Sequence, residues 1–544
     1  MANATRILPL LLLCACPRWT PADDSQPQPD DSQPDTVPYD SDTGPAVDPL
    51  QGVVQVTWDD HSLADYGLVV AGYAMNDDHP GGYKNNEGHD AQFYVIARPE
   101  AFTDGRARPV LLWLHGGAVG VDGVEEQAGV FCTEKGIASL VENALYHHEL
   151  LQRSVAVEDW IELAPVNTWC DMWAGLGPDD PVDTNHNGAY HVDWVFRAVE
   201  AGLSGLVPDP SRYYSWGTSI GGVGVFPLAV GMPGTTRHFE AIVSDSGPMV
   251  LTTWYFADLG QAYCDHILGG PAYDQDGNET AWTDNYRRVD GQMLVRDEGF
   301  RVPALIAYNT YDQLTPEIHG DTVGPLMDEL YPPAGARYFY HNWNHLGPGM
   351  MGHTQTLGLQ PPYSQTTMAA LRFLKGASLQ FVEAEALCPT CLIERETKTS
   401  TYHDDIAAFS DGAAVVRAPT DGPGALFSGA IPEAFPRGIP ATLYLPIAAT
   451  LTEECGPKQE FLAIALLQGE TTVAQRRISV GEMEWRSADA SLANIAATSL
   501  SFEEDLDGDG VGDGLPEGEL LLDIQYAGCG KAWFDGIWIA STAP

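Results

Sequence analysis

Arg212-Tyr213-Tyr214-Ser215-Trp216-Gly217-Thr218-Ser219-Ile220-Gly221-Gly222 reads as a strand, a sharp turn and the start of a helix, and the rest of the chain is read outward from it. Its middle, Gly217-Thr218-Ser219-Ile220-Gly221, has the G-x-S-x-G spacing. A backbone that turns abruptly from strand to helix crowds itself, and side chains at the flanking positions would clash, so glycine is needed there. The turn holds Ser219 in a strained conformation and lifts its hydroxyl above a sheet, at the positive end of a helix. The bland alternative is a glycine-rich turn with a bystander serine. The strand before the turn and the small-residue helix start after it favour a nucleophile.

Upstream, Pro109-Val110-Leu111-Leu112-Trp113-Leu114-His115-Gly116-Gly117-Ala118 is a buried strand that ends in small residues. Such residues let backbone N–H groups face an oxygen that becomes negative during acyl transfer, and losing one such donor costs about 2.7–4 kcal/mol. The N–H groups of Gly117 or Ala118 and of Ile220 are the candidate oxyanion hole, and His115 reads as structural. Downstream, the strand Ala304–Asn309 is followed by Asp312, where a carboxylate can orient an imidazole. Asp245, which ends the preceding strand, is the alternative acid, with a turn or helix cap as its non-catalytic role. The last strand is Arg337–His341. His345 lies in the loop beyond it, 33 residues after Asp312, and is the candidate general base. His341 belongs to the strand itself, and His353 is the outside candidate. Ser219, Asp312 and His345 together suit acyl transfer through a covalent intermediate, which needs no metal or cofactor.

The strand ending in His115-Gly116-Gly117, the elbow at Ser219 and the order serine, acid, histidine resemble the α/β-hydrolase fold. Asp209-Pro210-Ser211-Arg212-Tyr213-Tyr214 is similar to the same region of secreted esterases of the polyhydroxyalkanoate depolymerase and feruloyl esterase type. The resemblance covers residues 51 to 385. It implies a serine carboxylic-ester hydrolase and leaves open whether the ester is a small molecule or a polymer.

The pattern along the chain agrees with two folded parts. From 51 to 385, short apolar strands without alternation interleave with helices, as in a doubly wound, mostly parallel sheet. The expected strands are Val53–Trp58, Phe93–Arg98, Val110–His115, Trp160–Val166, Tyr213–Gly217, Ala241–Ser244, Ala304–Asn309 and Arg337–His341. The expected helices include Val192–Ala201 and Pro325–Leu330. The aromatic piece from Thr252 to Arg301 reads as an insertion forming a lid or pocket wall. From 386 to 544 the periodicity is mostly β, which suggests an all-β sandwich of roughly 150 residues.

The N-terminus reads as an export signal over residues 1–16. Arg6 precedes Ile7-Leu8-Pro9-Leu10-Leu11-Leu12-Leu13, a run far shorter than the ~20 residues that span a bilayer. Leu13-Cys14-Ala15-Cys16 resembles the lipobox of bacterial lipoproteins, which implies Cys16 as a lipid anchor. An ordinary cleaved signal with two incidental cysteines is the alternative. Residues 17–50, rich in Asp, Pro, Ser and Gln, read as an extended acidic linker. The expected location is therefore the cell envelope, lipid-anchored, or the extracellular space.

The chain has 544 residues, 27 Lys and Arg against 75 Asp and Glu, and a net charge of -48, which repels phosphate backbones and argues against nucleic-acid binding. It carries nine cysteines; removal of Cys14 and Cys16 leaves seven, and an oxidising compartment makes disulfides the default. Cys455–Cys529 is the expected pair; Cys388-Pro389-Thr390-Cys391 has redox CxxC spacing but no thioredoxin-like βαβ pattern around it, so a short structural disulfide is the favoured reading there, and an odd number leaves at least one thiol free or paired outside the chain. Asp505, Asp507, Asp509 and Asp513 have the spacing that gathers oxygens around Ca²⁺. Pro516 stands where the twelfth-position Glu belongs, so the loop resembles thrombospondin type 3 calcium loops. A structural Ca²⁺ and an acidic solvated turn both remain readings of it. Asp183-Thr184-Asn185-His186-Asn187-Gly188 has similar spacing and reads as a turn before a helix. Trp533-Phe534-Asp535 faintly resembles jelly-roll carbohydrate-binding modules, so glycan binding stands beside a plain core role.

Two other functions fit the same residues. One is a serine peptidase or amidase with the same triad. The other is a surface binding protein acting through the C-terminal sandwich, against which the intact Ser, Asp and His candidates count. Deleting residues 386 to 544 is expected to leave an esterase active on small esters and to abolish a pure binder.

Overall fold

The computed structural model describes residues 48–56, 67–76, 90–117, 159–167, 188–230, 239–256, 258–297, 302–308, 318–330, 338–342, 365–395, 413–445, 447–450, 455–482, 494–496, 499–502, 514–534 and 536–541, with single positions between them. Nine strands form one sheet: β1 (Val53–Val56), β2 (Val69–Met75), β3 (Ala91–Ala97), β4 (Arg108–Leu114), β5 (Ile161–Val166), β6 (Pro208–Thr218), β7 (Ala241–Asp245), β8 (Ala304–Tyr308) and β9 (Tyr338–Asn342). Their order is β1-β2-β3-β5-β4-β6-β7-β8-β9. The first three strands run antiparallel to their neighbours, and all pairings from β5 to β9 are parallel.

All eight expected strands are present, with ends shifted by a few residues. Every residue of β4, β5, β7 and β8 is buried, because both faces of the sheet are covered. The sequence reading missed β2. Its sequence, Val-Val-Ala-Gly-Tyr-Ala-Met, carries a glycine in the middle, which weakens a strand signal. Gly72 is there because a Cβ would come within 2.9 Å of the Tyr94 ring on β3.

Helices α1 (Gly188–Glu200) and α2 (Ile220–Val230) follow β5 and β6. The segment between β7 and β8 folds into α3 (Leu251–Trp254), α4 (Asp258–Leu268), α5 (Thr283–Val289) and α6 (Gly291–Asp297). This insertion is packed, not loose: Trp254 stacks on Tyr263 at 5.6 Å, and Phe300 lies 5.6 Å from Phe226 of α2. Asp290 ties it together, since Oδ1 accepts from the Met293 N–H at 3.0 Å and Oδ2 from the Thr252 N–H at 3.2 Å. Phe256 is the exception at 84 % exposed. Helix α7 (Ile318–Leu330) follows β8, and α8 (Gln365–Leu374) follows β9.

The remaining strands are all antiparallel. Ser378–Glu383 pairs with Gly536–Ser541, which pairs with Ala441–Tyr444 and through it with Ser499–Phe502. Ile393–Arg395, Ala413–Arg417, Lys531–Phe534, Ile447–Thr450 and Asn494–Ala496 form a second sheet; Gly424–Ala430, Leu521–Tyr526, Glu460–Gln468 and Thr471–Ser479 form a third. The second and third sheets face each other where Phe427 meets Phe534 edge-on at 4.9 Å. The all-β part thus begins at Ser378, inside the stretch assigned by sequence to the first part. It also shares a core with that part: Tyr444, Trp538 and Ala540 are buried in the same cluster as Leu371 and Phe373 of α8. Residues 46–544 form one compact unit. Trp533, Phe534 and Trp538 are all buried, so these aromatics serve as core and offer no open face to a sugar.

Both expected cysteine pairs form, Cys388 with Cys391 and Cys455 with Cys529, their Cα atoms 5.4 and 5.9 Å apart. Cys264 is the free cysteine among the described residues; burial pushes its thiol up to about 12 and leaves it inert. The two disulfides should differ in worth. Cys455–Cys529 spans 74 residues and Cys388–Cys391 spans 3. Loop-closure entropy puts the first at about 4 kcal/mol and the second at about 2 kcal/mol. Chemical denaturation of the paired Cys→Ser variants should show the larger midpoint loss for Cys455/Cys529, and equal losses would contradict the entropic account.

Glu162 sits in the middle of β5 between Ile96 and Leu111, 1 % exposed, and its Oε2 has no hydrogen-bond partner among the described residues. Burial pushes its carboxyl from 4.5 up to about 8. The folded state therefore holds a proton that the unfolded chain releases. This contribution to stability is full below pH 4.5 and is lost as pH rises through 8. Glu162→Gln keeps the shape without the charge. It should melt with the wild type near pH 4.5 and several degrees above it at pH 8.5, a gap of a few kcal/mol. Parallel melting curves across that range would contradict the assignment.

Candidate active site

The strand order reverses at β4. The chain steps from β4 outward to β5, then returns past β4 to β6 and continues the other way through β9. In open α/β sheets the crevice outside the carboxyl ends of the strands at such a reversal is where ligands bind. Gly116 follows the carboxyl end of β4 and Ser219 that of β6, and a Cβ on Gly116 would lie 3.1 Å from Ser219 Cβ and 3.7 Å from its Oγ.

Ser219 occupies the turn between β6 and α2 with φ 56°, a left-handed value that costs a non-glycine residue about 1–3 kcal/mol. The surroundings enforce it. Its N–H donates to the Asp245 carbonyl at 2.8 Å, and its carbonyl accepts from the Val223 N–H at 3.3 Å. A Cβ on Gly217 would run into the Gly221 carbonyl, and one on Gly221 into the Leu114 and His115 carbonyls. The glycines of the motif are thus explained by close approach of β4, β6 and α2. Ser219 is half-buried while Gly217, Thr218, Ile220 and Gly221 around it are buried, so the turn presents this side chain outward.

His115 is 2 % exposed and structural. Its Nε2 accepts from the Asn167 N–H at 3.0 Å, which places the ring proton on Nδ1, 2.6 Å from the Gly116 carbonyl. The ring thereby holds the backbone that leads into Gly117. Of the candidate oxyanion hole, Ile220 opens α2 directly after Ser219 and Gly117 stands three residues past the end of β4; Ala118 lies outside the described residues.

Asp312 is buried at 3 % exposure past the end of β8. Its Oδ1 accepts from the Thr315 N–H at 2.8 Å, and its Oδ2 lies 2.5 Å from the Thr315 hydroxyl, which is also 2.8 Å from the Ser246 carbonyl. Asp245 is fully buried at the end of β7, where Ser246 Oγ donates at 3.1 Å and Thr218 Oγ1 at 3.4 Å. Both candidate acids therefore sit on the carboxyl side of the sheet, on neighbouring strand ends. Ser246 itself has φ 52°, a second left-handed non-glycine residue one strand from Ser219. His341 lies in β9, opposite Ala307.

His345 and His353 lie outside the described residues, as do Cys16, Asp505, Asp507, Asp509 and Asp513. Among the described residues no group of three or more His, Cys, Asp or Glu is placed to hold a metal ion, and no helix is long and apolar enough to cross a membrane. The sequence reading passed over one buried polar residue near the site. His319 of α7 is 1 % exposed, and its Nδ1 accepts from the Val250 N–H at 3.1 Å. A lone histidine in a helical pattern gives no signal of such a role.

No family model matches the chain, and no curated protein matches it. Solved structures do. An S-formylglutathione hydrolase from Agrobacterium tumefaciens is 16% identical over 53% of this chain and 89% of its own, with a TM-score of 0.33. Esterase B from Lactobacillus rhamnosis is 12% identical over 56% of this chain and 84% of its own, with a TM-score of 0.36. An acylaminoacyl peptidase from Pyrococcus horikoshii is 14% identical over 57% of this chain and 41% of its own, with a TM-score of 0.35. At these identities and TM-scores the likeness fixes neither a substrate nor the role of any residue.

Proposed function

We propose that this chain is an exported serine hydrolase that cleaves carboxylic esters, with Ser219 as nucleophile, His345 as general base and Asp312 as the acid that orients it. One observation carries the reading: Ser219 is a half-exposed serine held at φ 56° between a strand and a helix, at the point where the strand order of the sheet reverses. Strain of that kind persists only where the surroundings over-determine it, and it gathers at functional sites.

In this mechanism Ser219 Oγ attacks the ester carbonyl carbon while His345 takes its proton. The oxyanion faces the N–H groups of Ile220 and of Gly117 or Ala118. The intermediate collapses, His345 returns the proton to the leaving alcohol, and water releases the acid from the acyl-enzyme. The reading extends to an anchor at Cys16, a location at the cell envelope or outside the cell, and a structural Ca²⁺ at Asp505, Asp507, Asp509 and Asp513.

The test is fluorophosphonate labelling of the purified protein beside Ser219→Ala, with p-nitrophenyl acetate and butyrate turnover on both. Labelling that maps to Ser219 and vanishes with it supports the reading. A folded wild type that does not label sinks it and leaves the all-β part as the seat of function. Amide turnover that matches or exceeds ester turnover would make the enzyme a peptidase.

A further inference from the structure

We propose that His319 is a positioning residue, locking the segment that carries Asp312 to the loop Ser246–Val250 and so keeping the acid aligned; this rests on the reading of Ser219 as nucleophile and Asp312 as its acid. Position 319 is a core position by pattern, since Val323 and Met327 follow on the same stripe of α7 and are buried with it. An apolar side chain would fill it without burying a ring nitrogen, but would take the Nδ1 acceptor from the buried Val250 N–H. The imidazole instead buries two polar atoms. Nδ1 accepts the Val250 N–H, which leaves the ring proton on Nε2, and Nε2 has no partner among the described residues. Keeping an unpaired polar atom in a core position is unfavourable, so the value of the residue lies in the acceptor it offers to Val250.

That bond completes a frame. The loop Ser246–Val250 meets the acid segment at both ends: the Val250 N–H donates to His319, and the one proton of the Thr315 hydroxyl is shared between the Ser246 carbonyl and Asp312 Oδ2. Thr315 in turn holds both carboxylate oxygens of Asp312. At its start the loop is fixed to the nucleophile turn, because the Asp245 carbonyl accepts the Ser219 N–H and a Cβ on Gly222 would approach Gly247 to 2.9 Å. His319 cannot drift, since Gly320 beside it presses the helix backbone against the Tyr308 ring of β8. Burial pushes its imidazole down to about 4, partly offset by the Asp312 charge, so it stays neutral wherever an ester hydrolase would work. Val250 also precedes α3, so the same bond sets where the insertion leaves the sheet.

The test is a double-mutant cycle on the full chain, read as kcat and KM for p-nitrophenyl butyrate. His319→Leu should lower kcat about 10–100-fold with KM within about twofold, as expected for a misplaced catalytic group. His319→Asn, whose Oδ1 takes the place of Nδ1, should recover most of that loss. Asp312→Asn alone should cost about 10⁴ in kcat. In that background His319→Leu should add less than about threefold, because the group it positions is already gone. A loss that persists in full in the Asp312→Asn background makes His319 merely structural. Wild-type kcat in His319→Leu overturns the proposal, as does a collapse of turnover in Asp245→Asn with Asp312→Asn unaffected. A wild type that labels at Ser219 while His319→Leu keeps its kcat overturns only the role of His319; one that does not label overturns both.

Discussion

Ser219→Ala is expected to lower kcat on p-nitrophenyl butyrate by about 10⁴–10⁶, the range in which loss of a serine nucleophile falls. The loss should be chemical and not structural. Alanine meets the same steric cost as serine at φ 56°, and the backbone bonds that hold the turn, to Asp245 and Val223, involve no side chain of residue 219. The melting temperature should therefore stay within a few degrees of wild type. Ser219→Gly separates strain from chemistry. Glycine occupies a left-handed turn without penalty, so this variant should be equally dead and up to about 1 kcal/mol more stable, after allowance for the entropy glycine adds to the unfolded chain. A protein that gains stability by losing its nucleophile has a turn shaped for reactivity. Ser219→Ala retaining more than about a hundredth of the activity, or Ser219→Gly melting well below wild type, would remove serine chemistry from this site.

What was legible in the sequence follows from which interactions are local. The Ser219 turn is local: the end of its strand, its glycines and the start of its helix lie within eleven consecutive residues, and Gly217 and Gly221 answer to a backbone a few residues away or to the end of the neighbouring β4. The central strands were legible because burial on both faces writes an unbroken apolar run. β2 was not, because its glycine serves the ring of Tyr94 on another strand. His319 was not, because its partner, the Val250 N–H, lies 69 residues away and backbone donors leave no mark in a sequence. The preference for Asp312 over Asp245 rested on chain position alone: Asp245 is the last residue of β7 and Asp312 lies four residues past the adjacent parallel strand β8, and the partners of each carboxylate are non-local. Ser378–Glu383 was not read as a strand at all; that it pairs with Gly536–Ser541 is a non-local fact.

Deletion of residues 386–544 is expected to destroy the fold of what remains, contrary to the separable accessory domain that the sequence suggested. The cut removes Gly536–Ser541, the strand on which Ser378–Glu383 pairs over its whole length. It also removes Tyr444, Trp538 and Ala540 from a core they share with Ala370, Leu371, Phe373 and Leu374 of α8. Helix α8 packs on β7 and on Gly536–Ser541, so losing the strand uncovers a helix that lies against the sheet beside the candidate site. Trp538 is 1 % exposed; burying roughly 200 Å² of such a ring is worth about 5 kcal/mol, and whole domains are stable by only about 5–15 kcal/mol. The truncated chain should therefore aggregate or melt without a cooperative transition, and fail to label with fluorophosphonate. A milder variant keeps the claim testable if nothing soluble is recovered. Trp538→Ala in the full chain should cost about 3–5 kcal/mol and lower the melting temperature of the α/β part and the all-β part together, in one transition. A truncated protein that stays soluble, melts cooperatively and labels at the wild-type rate would mean the two parts are independent. So would a Trp538→Ala melt that splits in two. If they stand or fall together, the all-β part is a structural member of one fold: it braces α8, which also packs on β7, the strand that ends in Asp245.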